Sequence, residues 1–212
     1  MLSNRTRRRL PPTSRREEIL AAALNLFAER PADQVSVEEV AAAAGASPAL
    51  VHHYFGSRSE LVSAVLRATA DELIDTLRVE AAAPAAEKLA TGLTIYLDYL
   101  ETHPQSWAAL LRAGQSSDDP TSAIAASVDD HAMAIAIRAV QPRGRPPVAL
   151  ELALRGWLAL VKDACLRWLQ DDALRRPALQ TLLAAAFVGC LEAAAATDER
   201  ARPALERFTS GR

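Results

Sequence analysis

Cysteine is scarce in this chain of 212 residues, which contains only Cys165 and Cys190. Both lie in apolar stretches with a helical pattern, and neither has a partner in sequence at the spacing of metal ligands. Such a pair excludes the dense disulfide framework of small secreted domains and indicates buried thiols in a reducing cytoplasm. A redox switch is the alternative.

Long hydrophobic runs are also missing, although 50% of the residues are hydrophobic. The longest uncharged apolar run, residues 177–191, falls short of the ~20 residues that a helix needs to cross a bilayer. The N-terminus lacks the apolar segment of ~7 to 15 residues found in signal peptides. We therefore expect no membrane partner, a cytoplasmic protein, and a small module beside a larger core.

The motifs of common enzyme classes are missing as well. The sequence has no Gly-rich phosphate loop, no paired metal-ligand spacing and no G-x-S-x-G elbow. Adjacent His52 and His53 cannot face one site. The run Asp129-Asp130-His131 does not predict a metal site, because adjacent side chains on a helix point in different directions. We expect no catalysis, no cofactor and no metal.

What the chain does contain is a pattern of two short helices around a tight turn in residues 36–55. Ser36 to Glu39 has the form of a capping box that begins the first helix. Gly45 can adopt the positive φ that ends it, and Ser47-Pro48 is typical of the N-cap and first residue of another helix. This spacing predicts a helix-turn-helix, whose second helix enters the DNA major groove. An ordinary helical hairpin is the alternative.

The flanking segments favour the helix-turn-helix. Residues 14–17 form a second capping-box pattern before a helical run of apolar residues, and residues 57–60 form a third before another. In this order, RREEILAAALNLF, SVEEVAAAAGASPALVHHYF and GSRSEL resemble the N-terminal DNA-binding domain of TetR-type transcriptional regulators. The resemblance covers roughly residues 14–62 and rests on many positions.

The resemblance implies which residues contact DNA, and it makes Phe55 a buried aromatic. His52 replaces a usual tyrosine that bonds phosphate, so this contact would become an imidazole's and vary with pH near neutrality. Pro31 replaces a usual glycine, so the first helix should stop by about Glu29. The expected contacts outside the N-terminal arm are Ser36, Ser47, Pro48, Ala49, Leu50, His52, His53, Tyr54 and Arg58.

Arginine and lysine are absent from the second helix, residues 48–54, so the commonest bidentate contact to guanine is unavailable there. Residues 1–16 instead carry six arginines and no acidic residue, whereas the remainder has 18 basic and 26 acidic residues, a net charge of −8. We interpret residues 1–13 as a flexible basic arm that reaches DNA through Arg7, Arg8 and Arg9, with a solvated tail as the alternative.

Beyond the DNA-binding domain, residues 14–60, the pattern stays helical with no strand. Six helices are expected near 58–80, 85–102, 104–113, 121–140, 147–171 and 177–197. With the first three helices of the chain they make an all-α, nine-helix TetR-like architecture. Residues 61–200 form the expected ligand-binding and dimerisation domain, and residues 201–212 a frayed tail.

The helix at 147–171 is apolar over most of its circumference, and the next helix carries small residues that allow close approach. Both suit a two-fold four-helix interface, which the resemblance also implies, with an intrachain bundle core as the alternative. The expected interface residues are Leu160, Leu179, Leu183, Phe187 and Gly189. The candidate ligand pocket consists of Tyr96, Leu100, His103, Trp107, Leu111, Met133, Trp157 and Val161.

These features predict a homodimeric transcriptional regulator that binds a double-stranded DNA operator. We expect a repressor that an unknown small-molecule effector releases from DNA. The alternative is an interaction or ligand-sensing protein of the same fold that acts as an activator or without specific DNA binding.

Overall fold

The computed structural model describes residues 12–77, 84–113, 121–171 and 174–210. Within these ranges it is all-α, as predicted, with two short 3-10 turns and no strand. The helices are α1 Pro12–Glu29, α2 Val37–Ala43, α3 Pro48–Phe55, α4 Arg58–Thr76, α5 Ala85–Thr102, α6 Pro104–Ala113, α7 Ser122–Val140, α8 Val148–Gln170, α9 Arg176–Thr197 and α10 Arg202–Thr209. The described residues thus form ten α-helices rather than the nine predicted.

Local capping chemistry sets the helix ends in the first domain. Ser36 and Ser57 each accept a hydrogen bond from the backbone N–H three residues later, and Glu39 and Glu60 complete both capping boxes. The first helix ends at Glu29, ahead of Pro31, as expected. The box predicted at Ser14 is wrong, because α1 already begins at Pro12, a residue whose fixed φ suits a first helical turn.

Two apolar cores share one helix. The N-terminal core packs α1, α2 and α3 around Ile19, Phe27, Val40 and Val51, and the C-terminal core packs α4 to α10. Helix α4 contributes to both, because Leu61 and Val65 lie in the first core whereas Leu66 and Leu73 lie in the second. A continuous helix thus connects the two domains.

The C-terminal residues are not the frayed tail that the sequence analysis expected. Residues 202–209 form α10, and its Ala204 and Phe208 lie buried, one turn apart on the same face. The Phe208 ring packs 5.2 Å from the ring of Phe187 on α9. Pro203 in the first turn and the apolar spacing of Ala204 and Phe208 were the signals for this helix.

Helix α9 is the one described helix whose length and composition would suit a membrane span, with 22 residues and a mean hydropathy of 1.6. Core helices of soluble proteins share this length and composition, so these two properties do not identify a membrane span. Leu179, Leu183, Phe187 and Leu191 pack into the C-terminal core. Of the most apolar 18-residue stretch of α9, however, only 28% is buried within the chain. Much of the apolar surface of α9 is therefore not covered by this protomer.

The packing of α10 gives a testable expectation for stability. Replacing Phe208 by Ala removes a buried aromatic ring and leaves a cavity beside Phe187, so the free energy of unfolding should fall by about 3 to 5 kcal/mol. Urea denaturation followed by circular dichroism measures this change. The neighbouring Arg207→Ala substitution is the control, because Arg207 is exposed. Equal stabilities for the two variants would contradict a packed α10.

Candidate nucleic-acid interface and helical-domain cavity

The turn between α2 and α3 has the local chemistry of a helix-turn-helix. Gly45 adopts φ +57°, a left-handed conformation that costs glycine little. Ser47 caps α3, since its Oγ accepts from the Leu50 N–H at 3.3 Å, and Pro48 follows in the first turn. Val51 and Phe55 are buried in the N-terminal core and fix the orientation of α3.

The opposite face of α3 carries side chains that can meet a DNA groove. Leu50 and Tyr54 are half-buried against the N-terminal core, and the Tyr54 ring also contacts the ring of His53, with centroids 5.2 Å apart. The exposed members of the predicted set are Ser47, Pro48, Ala49, His52, His53 and Arg58.

His52 is held by a bond to its own turn. Its Nδ1 lies 3.0 Å from the carbonyl oxygen of Gly56, which can only accept, so Nδ1 must carry a hydrogen. Nε2 is then an acceptor in the neutral ring and a donor only in the protonated ring. A contact from Nε2 to a phosphate oxygen therefore requires imidazolium.

Arg58 has a structural role that the sequence analysis missed. Its guanidinium donates to the carbonyl oxygens of Ala32 and Val35, with Nε 3.3 Å and Nη2 3.2 Å from the Val35 oxygen. These bonds tie the start of α4 to the segment before α2. No local sequence pattern indicates these bonds, because the acceptors are backbone atoms more than 20 positions away.

Ser36, another predicted contact, is half-buried and engaged in the α2 capping box. Its N–H donates to Glu39 Oε2 at 2.8 Å, while Arg30 donates to Glu39 Oε1 at 2.8 Å. The Ser36 backbone bond and the Arg30 guanidinium lower the pKa of Glu39 to about 2. The stabilisation from this carboxylate is thus present above its unfolded pKa and is lost only as the pH falls toward 2.

Two arginines counted with the basic N-terminus also support the fold. Arg15 donates from Nη2 to the Gly45 carbonyl oxygen at 2.6 Å, at the turn between α2 and α3. The Arg16 guanidinium lies 4.8 Å from the centroid of the Phe55 ring, a cation–π distance. The proposed arm contacts Arg7, Arg8 and Arg9 lie outside the described residues.

The C-terminal domain encloses a cavity of about 130 Å³ among α4, α5, α6, α7, α8 and α9. Five of the predicted pocket residues line it: Tyr96, Trp107, Leu111, Trp157 and Val161. The other three do not.

Leu100 and Met133 are buried in the core away from the cavity wall, and His103 stacks on the ring of Tyr99 at 4.5 Å instead. The cavity wall also contains three charged residues that are not among the predicted pocket residues: Lys88, Asp129 and Lys162. Within the described ranges, no group of three or more His, Cys, Asp or Glu side chains could hold a metal ion.

The residues expected at a dimer interface separate into two sets. Leu160 and Gly189 are exposed, but Leu179, Leu183 and Phe187 are at most 1% exposed and belong to the core of the protomer. The correction follows from helix periodicity, because α9 is apolar on two faces and the larger side chains occupy the inner one. The exposed face of α9 consists of Ala178, Leu182, Ala185, Gly189, Ala193 and Ala196.

Both domains of the chain match families of known proteins. Residues 19–65 match the family described as bacterial regulatory proteins, tetR family, and residues 85–190 match the tetracyclin repressor-like C-terminal domain. A tetR-family transcriptional regulator from Streptomyces coelicolor is similar in structure, with a TM-score of 0.88 and 30% identity. The similarity covers 95% of this chain and 91% of that one.

Curated relatives are transcriptional regulators rather than enzymes. The regulator BetI of Rhizobium meliloti is 31% identical over 110 residues, 50% of this chain and 54% of BetI, so the match spans about half the length of that relative. The transcriptional activator FasR of Mycolicibacterium smegmatis is 26% identical over 80% of this chain and 78% of FasR. Since family models match both domains and a 30% identical structure superposes along nearly the whole chain, the protein belongs to the TetR family of bacterial regulatory proteins.

Proposed function

We propose that the protein is a homodimeric, cytoplasmic transcriptional repressor, which binds a double-stranded DNA operator and releases it when a small molecule occupies the C-terminal cavity. The observation that carries the proposal is the outward face of α3, whose exposed side chains project from a helix fixed by buried Val51 and Phe55. A gel-shift experiment with the DNA upstream of its own gene, at low salt, tests it. Absence of retardation would favour the interaction-protein alternative.

The size and chemistry of α3 suit shared recognition of bases and phosphates. At 1.5 Å per residue its eight residues span about 12 Å, close to the width of the major groove. Ala49 can contact a thymine methyl group, and His53 can bond a base edge. Since α3 contains no arginine or lysine, much of the affinity should come from phosphate contacts.

A dimer would cover the apolar surface that the protomer leaves open. Leu152 and Leu160 on α8 are 64% and 39% exposed, and Leu182 on α9 is 48% exposed. Helices α8 and α9 pack against each other, and the small residues on the outer face of α9 allow another helix to approach closely. Two such pairs form a four-helix interface around a two-fold axis, which places two α3 helices on one near-palindromic operator.

A physical connection links the cavity to the DNA-binding domain. Trp107 on α6 lines the cavity, and the adjacent Ser106 is buried, with its Oγ donating to the Phe27 carbonyl oxygen of α1 at 3.2 Å. A ligand that displaces α6 would therefore also move α1 and, through the N-terminal core, α3. By linkage, operator DNA must then weaken ligand binding by the same factor as ligand weakens DNA binding.

Activation is the second candidate, because FasR, the relative matched over most of its length, is named an activator. A transcriptional reporter fused to the bound promoter separates the two. Deleting the regulator raises expression if it is a repressor and lowers it if it is an activator.

We expect His53 to contact bases and Arg58 to stabilise the DNA-binding surface. His53→Ala should change the ratio of affinities for operator variants that differ at one base pair by about tenfold, because a lost base contact is worth about 1 to 3 kcal/mol. Arg58→Ala should weaken binding to all variants similarly and lower the melting temperature, since its bonds to Ala32 and Val35 are lost. Fluorescence anisotropy with an operator panel measures both. A uniform loss for His53→Ala would assign His53 to the DNA backbone.

The outer face of α9 should decide the oligomeric state. Ala185→Glu places a charge on the exposed small-residue face and should convert a dimer to a monomer with unchanged helix content. Ala126→Glu, on an exposed position of α7, is the control. Leu183→Glu should instead unfold the protein, because Leu183 is fully buried in its own chain. Sedimentation velocity at micromolar concentration gives the answer, and a monomeric wild-type protein would refute the dimer.

The N-terminal arginines should contribute to the salt dependence of DNA binding. If each arm of a dimer places two arginines on phosphates, deleting residues 1–11 should reduce the slope of log affinity against log salt by roughly 3 to 4 units. Preference among major-groove variants should persist, because α3 is unchanged. Replacing the exposed Arg138 and Arg143 by Ala is the control for loss of positive charge. An unchanged slope after the deletion would make the arm a solvated tail.

A further inference from the structure

The size of the C-terminal cavity limits what it can hold. Small side chains on one wall make the space, among them Ala132 and Ala136 on α7 and Gly92 on α5, where an added Cβ would meet no atom within 4 Å. Trp107 and Trp157 contribute large aromatic surfaces. An apolar cavity of roughly 150 Å³ takes up benzene. The observed volume of about 130 Å³ therefore suits one substituted ring or a short branched alkyl group.

The uncharged side chains of the described wall leave one donor for a ligand. The Trp157 Nε1–H donates to the Leu183 carbonyl oxygen at 2.9 Å, and the Trp107 Nε1–H donates to the Tyr96 hydroxyl at 3.0 Å. Burial raises the pKa of Tyr96 well above its usual value, so the phenol keeps its hydrogen at neutral pH. Among the bonds of the described residues, the Tyr96 hydroxyl accepts from Trp107 but donates to no acceptor.

The charges at the wall are already compensated. Lys162 Nζ lies 2.6 Å from Asp129 Oδ2, which pairs α8 with α7 at the cavity edge. Lys88, the third charged lining residue, also has an interaction partner. The side chains of Lys162 and Asp129 are 36% and 41% exposed, and because they pair with each other they leave no unpaired charge at the described wall to attract a charged ligand.

We propose that the cavity binds an uncharged ligand about the size of one substituted benzene ring, which is apolar except for one acceptor oxygen. The ring or alkyl body packs between the α7 alanines and the two tryptophans, and the oxygen accepts the Tyr96 O–H. The inference deepens the proposed function by naming the chemical class of the effector. It rests on that function only for the consequence of binding, namely the release of DNA.

The test uses the full-length protein and three probes of similar size: acetophenone, ethylbenzene and benzoate. Isothermal titration calorimetry and quenching of tryptophan fluorescence should show acetophenone binding about three- to tenfold more tightly than ethylbenzene, because it alone of the two accepts a hydrogen bond. Benzoate should bind most weakly. Stronger binding of benzoate than of acetophenone would overturn the uncharged class, and failure of all three to bind would overturn the inference as a whole.

Three variants assign the effect to named side chains. Tyr96→Phe, made together with Trp107→Phe because loss of the hydroxyl would otherwise free the Trp107 Nε1–H as a new donor, should remove the advantage of acetophenone over ethylbenzene. Ala132→Leu should fill the cavity and reduce binding of both neutral probes at least tenfold, whereas Ala126→Leu, at an exposed position of the same helix, should not. A retained acetophenone preference in this double variant would disprove the role of the hydroxyl, and equal effects of the two alanine variants would disprove the location.

The gel-shift experiment separates this inference from the proposed function. If the protein shifts the mobility of operator DNA but binds none of the probes, the proposed ligand class is wrong, whereas the proposed DNA-binding function is supported. If the probes bind with the predicted order and no DNA is retarded, the cavity assignment stands and the proposed function falls.

Discussion

The continuity of α4 is the constraint on which the rest of this structure depends. Its N-terminal half completes the core that positions α3, and its C-terminal half lines the core around the cavity. Because a helix kinks sharply only where its hydrogen-bond ladder is interrupted, a displacement at one end of α4 tends to be transmitted to the other. The bond from Ser106 to the Phe27 carbonyl oxygen gives α6 a second connection to the same domain.

Two arginines near the DNA-binding surface also stabilise this surface through hydrogen bonds to backbone carbonyl oxygens. Arg58 bonds the carbonyl oxygens before α2, and Arg15 bonds the turn at Gly45. Arginine suits this role, since one guanidinium can donate to several fixed acceptors and stays charged at every physiological pH. A loss of DNA affinity on substituting such a residue therefore reports loss of geometry as well as loss of charge.

The apolar residues of α8 and α9 divide between a buried and an exposed face. Large side chains such as Leu183 and Phe187 fill the protomer core, whereas small residues such as Ala185 and Gly189 face outward. This division suits a close helix–helix approach outside and dense packing inside. It also accounts for the high hydropathy of α9, since both its buried and its exposed face carry mostly apolar residues.

Local sequence signals are sufficient to predict the helices and the turn of the DNA-binding domain. Ser36, Gly45, Ser47 and Pro31 act within three or four residues of their own positions, so capping and φ preferences predicted α2, α3 and the end of α1. The same local periodicity predicted most later helices, and α10 was missed only because its short apolar pattern was taken for a tail.

Tertiary structure alone decided which faces of those helices turn inward. Leu183 and Gly189 occupy one helix with similar apolar surroundings, yet one is core and the other surface. The pairs Arg58–Val35, Lys162–Asp129 and Tyr96–Trp107 set the interface and the cavity, and each joins different helices or a helix and a distant turn. A helical pattern fixes the direction of a side chain relative to its own axis. Only packing fixes the rotation of that axis against its neighbours, and hence which side chains meet.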